Sequence, residues 1–373
     1  MTTLLTQATD DRQCETPIAL LDLAAYGRSY GRSIDVGYHD GMTTSELANY
    51  DRIGFSAIAL NNRTWKSLKQ LRQKYAGPVR VGGKAMRWID AAWVERLVGW
   101  NIDDIAGAGE NWVADNYKDI NYDTYPPWSL SDLRRMDASG AATMLMSSRG
   151  CPYHCHFCHN TEPKVSYFSP ERTAANAALM VNDLGKQRIF FVDDIFALKP
   201  EHMMAVLQAC DGIGLNLRQR TSFFVHVNQL SQRHLGAIAA WAPAEMQMGV
   251  ESGDDSMLKA MGKTFTAAEA EDRLRTLHSL GHHTACLFLM GFPGETIDSL
   301  QRTVDFALRN RSYMSGWWVS YYQAVPGTVG WERATERLGR EPPDGDWNTE
   351  ITYLDPNLTR EDLTSARAAI MGN

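Results

Sequence analysis

The chain lacks a long apolar run, an excess of basic charge and a disulfide framework. No stretch approaches the ~18 consecutive apolar residues that cross a bilayer, so no membrane span is expected. The opening Met1-Thr2-Thr3-Leu4-Leu5-Thr6-Gln7 has neither the basic start nor the apolar core of a secretory leader. Lys and Arg number 37 against 44 Asp and Glu, a net charge of −7, and no chain-wide basic field points to nucleic acid. Six cysteines among 373 residues are too few for a disulfide scaffold. At 44% hydrophobic and 22% charged residues the chain is neither disordered nor fibrous, and it is longer than one average domain. These absences lead to the expectation of a soluble, cytoplasmic protein with more than one domain.

The cysteines stand at 14, 151, 155, 158, 210 and 286, and three of them crowd into one short loop. That loop reads Ser148-Arg149-Gly150-Cys151-Pro152-Tyr153-His154-Cys155-His156-Phe157-Cys158-His159-Asn160. Thiolates spaced C-x3-C-x2-C can surround one iron–sulfur cluster, thiolate being the donor such iron prefers. Three ligands, where electron-transfer clusters use four, leave one iron open to a small molecule. A zinc site with His154, His156 or His159 as fourth ligand is the alternative. Structural zinc usually draws a second ligand pair from elsewhere, and the chain has no second C-x-x-C. Cys14, Cys210 and Cys286 read as buried or incidental thiols.

Around the loop, strand and helix signals alternate. Ala142–Ser147 reads as a short buried strand, and Ser169-Pro170-Glu171 starts a helix expected to reach about Gly185. Strands are predicted at Arg188–Val192, Ser222–Val227, Met246–Val250, Thr284–Met290 and Trp317–Tyr322. Helices are predicted at Thr266–Leu280, closed by Gly281, and at Thr296–Arg311. Such alternation means parallel βαβ units with ligands at the carboxyl ends of the strands.

C-x3-C-x2-C with an aromatic before the last cysteine resembles the signature of the radical S-adenosylmethionine (radical SAM) superfamily. The resemblance implies a partial (β/α)6 barrel over 142–329. It also implies a [4Fe-4S] cluster on Cys151, Cys155 and Cys158, with S-adenosylmethionine (SAM) on the open iron and Phe157 near its adenine. Further turns fall in register behind the cysteines. Val192-Asp193-Asp194 ends the second strand, where the family presents polar groups to SAM. Gly249-Val250-Glu251-Ser252-Gly253 is similar to the family's E-S-G turn. Gly291-Phe292-Pro293-Gly294-Glu295-Thr296 resembles its G-x-P-G-E-T turn, and Pro326-Gly327-Thr328 its P-G-T turn. Asp193, Asp194, Glu251, Ser252, Gly291, Gly294 and Glu295 are carried over as SAM-site residues on that ground. Individually, Pro-Gly turns are ordinary punctuation, and an Asp-Asp pair can cap a helix or face solvent.

Residues 1–117 read as a separate, small doubly wound α/β domain. Thr2–Gln7, Ser33–Val36, Ile53–Ile58 and Val79–Val81 are its strands. Its helices are one started by Thr16-Pro17, one bearing Trp65, Leu68, Leu71 and Tyr75, and one at Ile89–Trp100. The pattern resembles the cobalamin-binding domain of one radical SAM subfamily, with residues 118–141 as the linker into the barrel. That resemblance carries over Ser56, Gly82, Gly83, Gly107, Gly109 and Glu110 as cobalamin-site residues. The glycines have a plain alternative as turn residues with positive φ. The D-x-H-x-x-G motif that supplies a histidine to cobalt elsewhere is absent, and His39 reads as a surface-loop histidine. The helix between Asp40 and Ile53 reads as about two turns.

The implied chemistry is reductive SAM cleavage to a 5′-deoxyadenosyl radical. The leading expectation is cobalamin-dependent C-methylation of an unactivated carbon in a natural-product intermediate or peptide. An electron donor of flavodoxin or ferredoxin type would serve as partner, with no nucleic acid and no membrane. The alternative is cobalamin-independent cyclisation, rearrangement or oxidation with the first domain as substrate platform. A non-enzymatic iron–sulfur redox sensor is the third class. Residues 330–373 read as a short helical extension, with helices at Trp331–Leu338 and Arg360–Met371 and no further cysteines. Trp317, Trp318, Tyr321 and Tyr322 on the sixth strand read as core before active-site lining. Tyr153, His154 and His156 read as solvated loop residues.

Overall fold

The computed structural model describes residues 1–7, 18–57, 62–83, 104–105, 112–113, 121–136, 143–158, 162–342 and 351–372. The chain divides into two compact units, residues 1–147 with 167–189, and residues 148–166 with 190–373.

The first unit holds a parallel sheet of β1 (Thr2–Gln7), β2 (Ser33–Val36), β3 (Arg52–Ser56), β4 (Val79–Gly82) and β5 (Asp104–Ile105), in the order β2-β1-β3-β4-β5. This is a doubly wound order whose direction reverses between β1 and β3, the place where such sheets bind ligands. Leu4, Leu5, Ile53, Phe55, Val79 and Val81 are essentially unexposed, as expected of strands covered on both faces. Helix α1 (Ile18–Ser29) lays Leu20, Ala24 and Tyr26 into a core with Leu5, Ile34, Val36, Tyr125 and Phe168. The predicted linker thus contributes to that core through Tyr125, and Trp128 is 5% exposed. Helix α2 (Thr44–Leu47) is a single turn closed by a Thr43–Glu46 capping box, shorter than the two turns expected. Helix α3 (Asn62–Lys74) follows, and α4 (Leu130–Met136) precedes β6 (Thr143–Leu145). The predicted helix at Ile89–Trp100 lies outside the described residues.

Helix α5 (Pro170–Ala178) begins as the sequence requires, with Ser169 accepting from the Arg172 amide and Pro170 in the first turn. Its last turn widens into a π-helix over Leu179–Asp183, so the helical stretch ends just short of Gly185. Arg172 pairs with Asp22 of α1, its guanidinium lying 4.0 Å over the Phe168 ring, and the Trp128 indole donates to the same carboxylate at 2.6 Å. This buried knot groups α5 with the first unit.

The second unit is built on strands at each place predicted after the cysteine loop. Between β7 (Ser148–Arg149) and β8 (Ser166–Tyr167) the chain makes the loop, and β9 (Ile189–Phe191) starts at the boundary of the units. Then come α6 (Pro200–Gly212), β10 (Thr221–Val225), α7 (Gln232–Trp241), β11 (Glu245–Glu251), α8 (Asp255–Ala260) and α9 (Ala267–Ser279). β12 (Thr284–Met290), α10 (Ile297–Arg309), β13 (Gly316–Tyr321), α11 (Val329–Leu338) and α12 (Arg360–Met371) complete it. The strands lie in the order β13-β12-β11-β10-β9, and the three pairings from β10 to β13 are parallel. β13 is an edge strand. Arg367 of α12 donates to the Val319 carbonyl at 3.2 Å, claiming a ladder acceptor that the edge leaves open. The aromatic strand is less buried than expected, because an edge strand is covered on fewer sides. Trp318 is 47% exposed, whereas Tyr322 is buried. Cys210 and Cys286 are fully buried free thiols, as expected. Among the described residues no helix is long and apolar enough to cross a membrane.

Candidate active site

The cysteine loop is fixed by hydrogen bonds at both ends and in the middle. At its start the buried Asp193 accepts from the Ser148 hydroxyl at 2.6 Å, and Asp194 accepts from the Gly150 amide at 3.1 Å. The Asp-Asp pair at the end of β9, Asp193 buried and Asp194 half-buried, thus anchors the loop. The Cys151 amide donates to Glu162 O at 2.9 Å, and the Cys158 amide to Cys155 O at 3.0 Å. In the middle, the His156 amide donates to Met261 O at 2.8 Å, its Nδ1 lies 2.8 Å from Ala260 O, and its carbonyl accepts from the Gly330 amide at 2.8 Å. His156 is an anchor, not a solvated residue, while His154 is exposed as expected. Gly262 makes this seat possible. Its φ is +75°, and a Cβ there would stand 2.7 Å from His154 O. Tyr153 stacks on His226 at 3.8 Å with the rings 9° from parallel. Burial, helped by Lys263, pushes the His226 imidazole down to about 3, so it is neutral, and its Nδ1 accepts from the Asn228 amide at 3.2 Å.

Cys151, Cys155 and Cys158 are part-buried thiols. Burial pushes the Cys151 thiol up to about 11, and the Asp194 carboxylate adds to this. Cys155 is raised by burial as well, against the opposing pull of Lys263. Among the described residues no three Cys, His, Asp or Glu side chains converge on one point as ligands of a single metal ion would. In a cluster each cysteine would take its own iron, and iron would replace the thiol proton. His159 lies outside the described residues.

Phe157 packs on a core of Met257, Met261, Phe292, Tyr322 and Tyr353. At the end of β11 the register slips between Gly249 and Glu251, and Glu251 takes φ +66°, a strained value for a residue with a side chain. Its carboxylate accepts from Lys263 at 3.1 Å. Ser252 is buried, 2.9 Å from the Thr303 hydroxyl. After β12, Gly291 (φ +84°) and Gly294 (φ +93°) shape the turn. The Gly291 amide donates to the buried Glu295, and the Gly294 amide to Asp355 at 2.8 Å. Burial pushes the Glu295 carboxyl up to about 8. Asp355 is fully buried and also accepts from Arg337 (2.5 and 2.8 Å), Tyr353 (2.9 Å) and the Asn357 amide (3.0 Å). Lys263 and Asp355 were not singled out in the sequence. One sits in an ordinary Gly-Lys-Thr turn and the other in an aperiodic segment.

In the first unit, Ser56 and Gly82 end neighbouring strands at the carboxyl edge of the sheet, and Gly83 follows at φ +104°. A Cβ on Gly83 would lie 2.5 Å from Ala57 O, so both conformation and space demand glycine. Gly82 has no positive φ. Gly107, Gly109 and Glu110 lie outside the described residues. His39 overturns its expectation. It is fully buried, Nδ1 standing 3.1 Å from Thr6 Oγ1 and Nε2 3.1 Å from Ser67 O and 3.0 Å from Asp40 Oδ1. Strand β1 and helix α3 close over it. With both ring nitrogens engaged, it has none free for a metal.

Residues 145–307 match the family model described as Radical SAM superfamily, so the cysteine loop and the strands behind it form a radical SAM domain. The chain carries a radical SAM domain over that segment. Curated relatives that the chain matches are named as methyltransferases. An uncharacterised methyltransferase of Pyrococcus horikoshii is 27% identical over 213 residues, 56% of this chain and 46% of that protein. The bacteriochlorophyllide d C-12(1)-methyltransferase of Chlorobaculum tepidum is 25% identical over 377 residues, 92% of this chain and 78% of that protein. The chain thus spans about half the length of the Pyrococcus relative. Two solved structures share the fold over nearly the whole chain. OxsB, titled a cobalamin-dependent SAM radical enzyme, was solved with aqua-cobalamin and SAM bound. It gives a TM-score of 0.75 at 15% identity, covering 98% of this chain and 66% of that one. TsrM of Kitasatospora setae, a radical SAM methyltransferase with cobalamin and a [4Fe-4S] cluster bound, gives 0.72 at 14%, covering 99% and 82%.

Proposed function

We propose that the chain is a cobalamin-dependent radical SAM methyltransferase acting on an unactivated carbon of a small-molecule or peptide substrate. The observation that carries this reading is the presence, in one chain, of a 2-1-3-4-5 sheet and a three-cysteine radical SAM domain. Their joint fold is shared with OxsB and TsrM, and curated relatives are named as methyltransferases.

When bound, the cluster with SAM supplies a hydrogen-abstracting radical, and cobalamin supplies the methyl group. The residues of this chain bind and orient. Cys151, Cys155 and Cys158 hold the cluster on a loop that Asp193, Asp194 and His156 keep in shape. Asp193, Ser252 and Glu295 are fully buried, so they act on SAM by bracing the turns around it. Glu251 is the carboxylate at the bulge that ends β11, engaged by Lys263. Phe157 closes the loop onto the apolar core and contributes its backbone to the adenine site. Ser56, Gly82 and Gly83 line the carboxyl edge where the corrin would rest, and His39 takes no part in ligating cobalt. A donor of flavodoxin or ferredoxin type supplies the electron.

A second reading, cobalamin-independent cyclisation, rearrangement or oxidation, is favoured by the shortness of α2, a single turn. Anaerobic purification after growth with cobalamin separates the two. About one cobalt per chain beside a four-iron cluster, and a substrate mass gain of one methylene, support methylation. A full iron–sulfur complement without cobalt overturns it in favour of the second reading.

A further inference from the structure

Lys263 is the cation that the functional reading above leaves without a task. Its side chain is 5% exposed, and Glu251, its carboxylate partner, is 13% exposed. The ammonium donates to Glu251 at 3.1 Å and stands 5.3 Å from the centre of the Phe157 ring, inside the cysteine loop, and 5.7 Å from that of Phe265. The backbone is arranged for this meeting from both sides. Gly262, at φ +75°, sets the residue before Lys263 against His154 and His156 of the cysteine loop. The bulge and strained φ of Glu251 turn its carboxylate to the same ammonium. Stability alone is a poor reason for such a pair, since a buried ion pair is often replaceable by apolar residues at no cost. Strain of this kind gathers at functional sites.

We propose that Lys263 is a positioning residue for the iron–sulfur centre: held by Glu251 beside Phe157 of the cysteine loop, its charge makes the centre easier to reduce. The inference rests on the reading of Cys151, Cys155 and Cys158 as cluster ligands. Accepting one electron from an external donor adds one negative charge to the centre. A fixed cation beside the ligand loop, in a medium less polarisable than water, stabilises that reduced form. The Glu251 carboxylate, which the ammonium engages at 3.1 Å, opposes it.

The test is a potentiometric titration of the full-length chain reconstituted anaerobically with iron and sulfide, without SAM or substrate, followed by electron paramagnetic resonance. K263M should lower the ratio of reduced to oxidised cluster at fixed potential by about tenfold, a shift of about 59 mV for one electron. E251Q should shift it in the opposite direction, and K263R should titrate like the unaltered chain. Iron-loaded K263M and E251Q titrating like the unaltered chain would overturn the inference. If K263M does not hold iron, E251Q, which keeps the lysine, decides the matter by the sign of its shift. An unaltered chain that takes up no cluster sinks the functional reading instead.

Discussion

Asp22 and Arg172, 150 residues apart in sequence, form an ion pair whose side chains are 5% and 2% exposed. The Trp128 indole donates to the same carboxylate at 2.6 Å, and the Arg172 Nε to Pro126 O at 3.2 Å. Removing one partner strands the other charge out of water. D22A should cost about 3–5 kcal/mol, and the apolar double replacement D22L/R172M should recover most of it. Denaturant unfolding of the two variants checks this.

The cysteines give a sharper test. C151A, C155A and C158A should each abolish cluster assembly and 5′-deoxyadenosine formation with little change in fold. Iron and sulfide analysis with far-ultraviolet circular dichroism measures both. Persistent SAM cleavage in any of the three would overturn the assignment of the cluster.

Glu295 makes stability depend on pH. Its folded-state value is raised to about 8 from an unfolded value near 4.5, because the native site favours the protonated form. The stability this group contributes is therefore full below about 4.5 and is lost as pH rises through about 8. E295Q, neutral at every pH, should flatten that loss, on the order of a few kcal/mol. Melting temperatures of both chains between pH 5 and 9 supply the comparison.

Asp355 ties the C-terminal segment to the turn after β12. D355A releases the Gly294 amide, Arg337 and Tyr353 together, so a loss of about 3 kcal/mol is expected. Weaker SAM binding with unchanged cluster content should accompany it, read by equilibrium dialysis and iron analysis. A stability loss without any change in SAM affinity would confine Asp355 to a scaffold role.

Much of the fold was legible because it is local. β1, β2, β12 and α12 fall on their predicted bounds, since apolar strands and the Thr359–Asp362 capping box announce themselves over a few residues. The cysteine spacing announced the radical SAM domain in the same way. His39 was misread because its burial depends on Thr6 and Ser67, 33 and 28 residues away, and nothing near His-Asp-Gly signals them. Lys263 and Asp355 escaped notice for the same reason. A charged residue in a turn looks solvated until the chain folds a partner onto it. The exposure of Trp318 reflects its place on the edge of the sheet, which composition does not encode.

The guanidinium of Arg367 on the Val319 carbonyl also bears on how the molecule keeps to itself. An open strand edge is a template on which another chain can add its own strand. Here a helix from the last residues lies against that edge, with a charge on one of its acceptors. A chain ended before Arg360 would bare β13 and its exposed Trp318 together. Self-association and loss to inclusion bodies would follow, even with every residue of the cysteine loop intact.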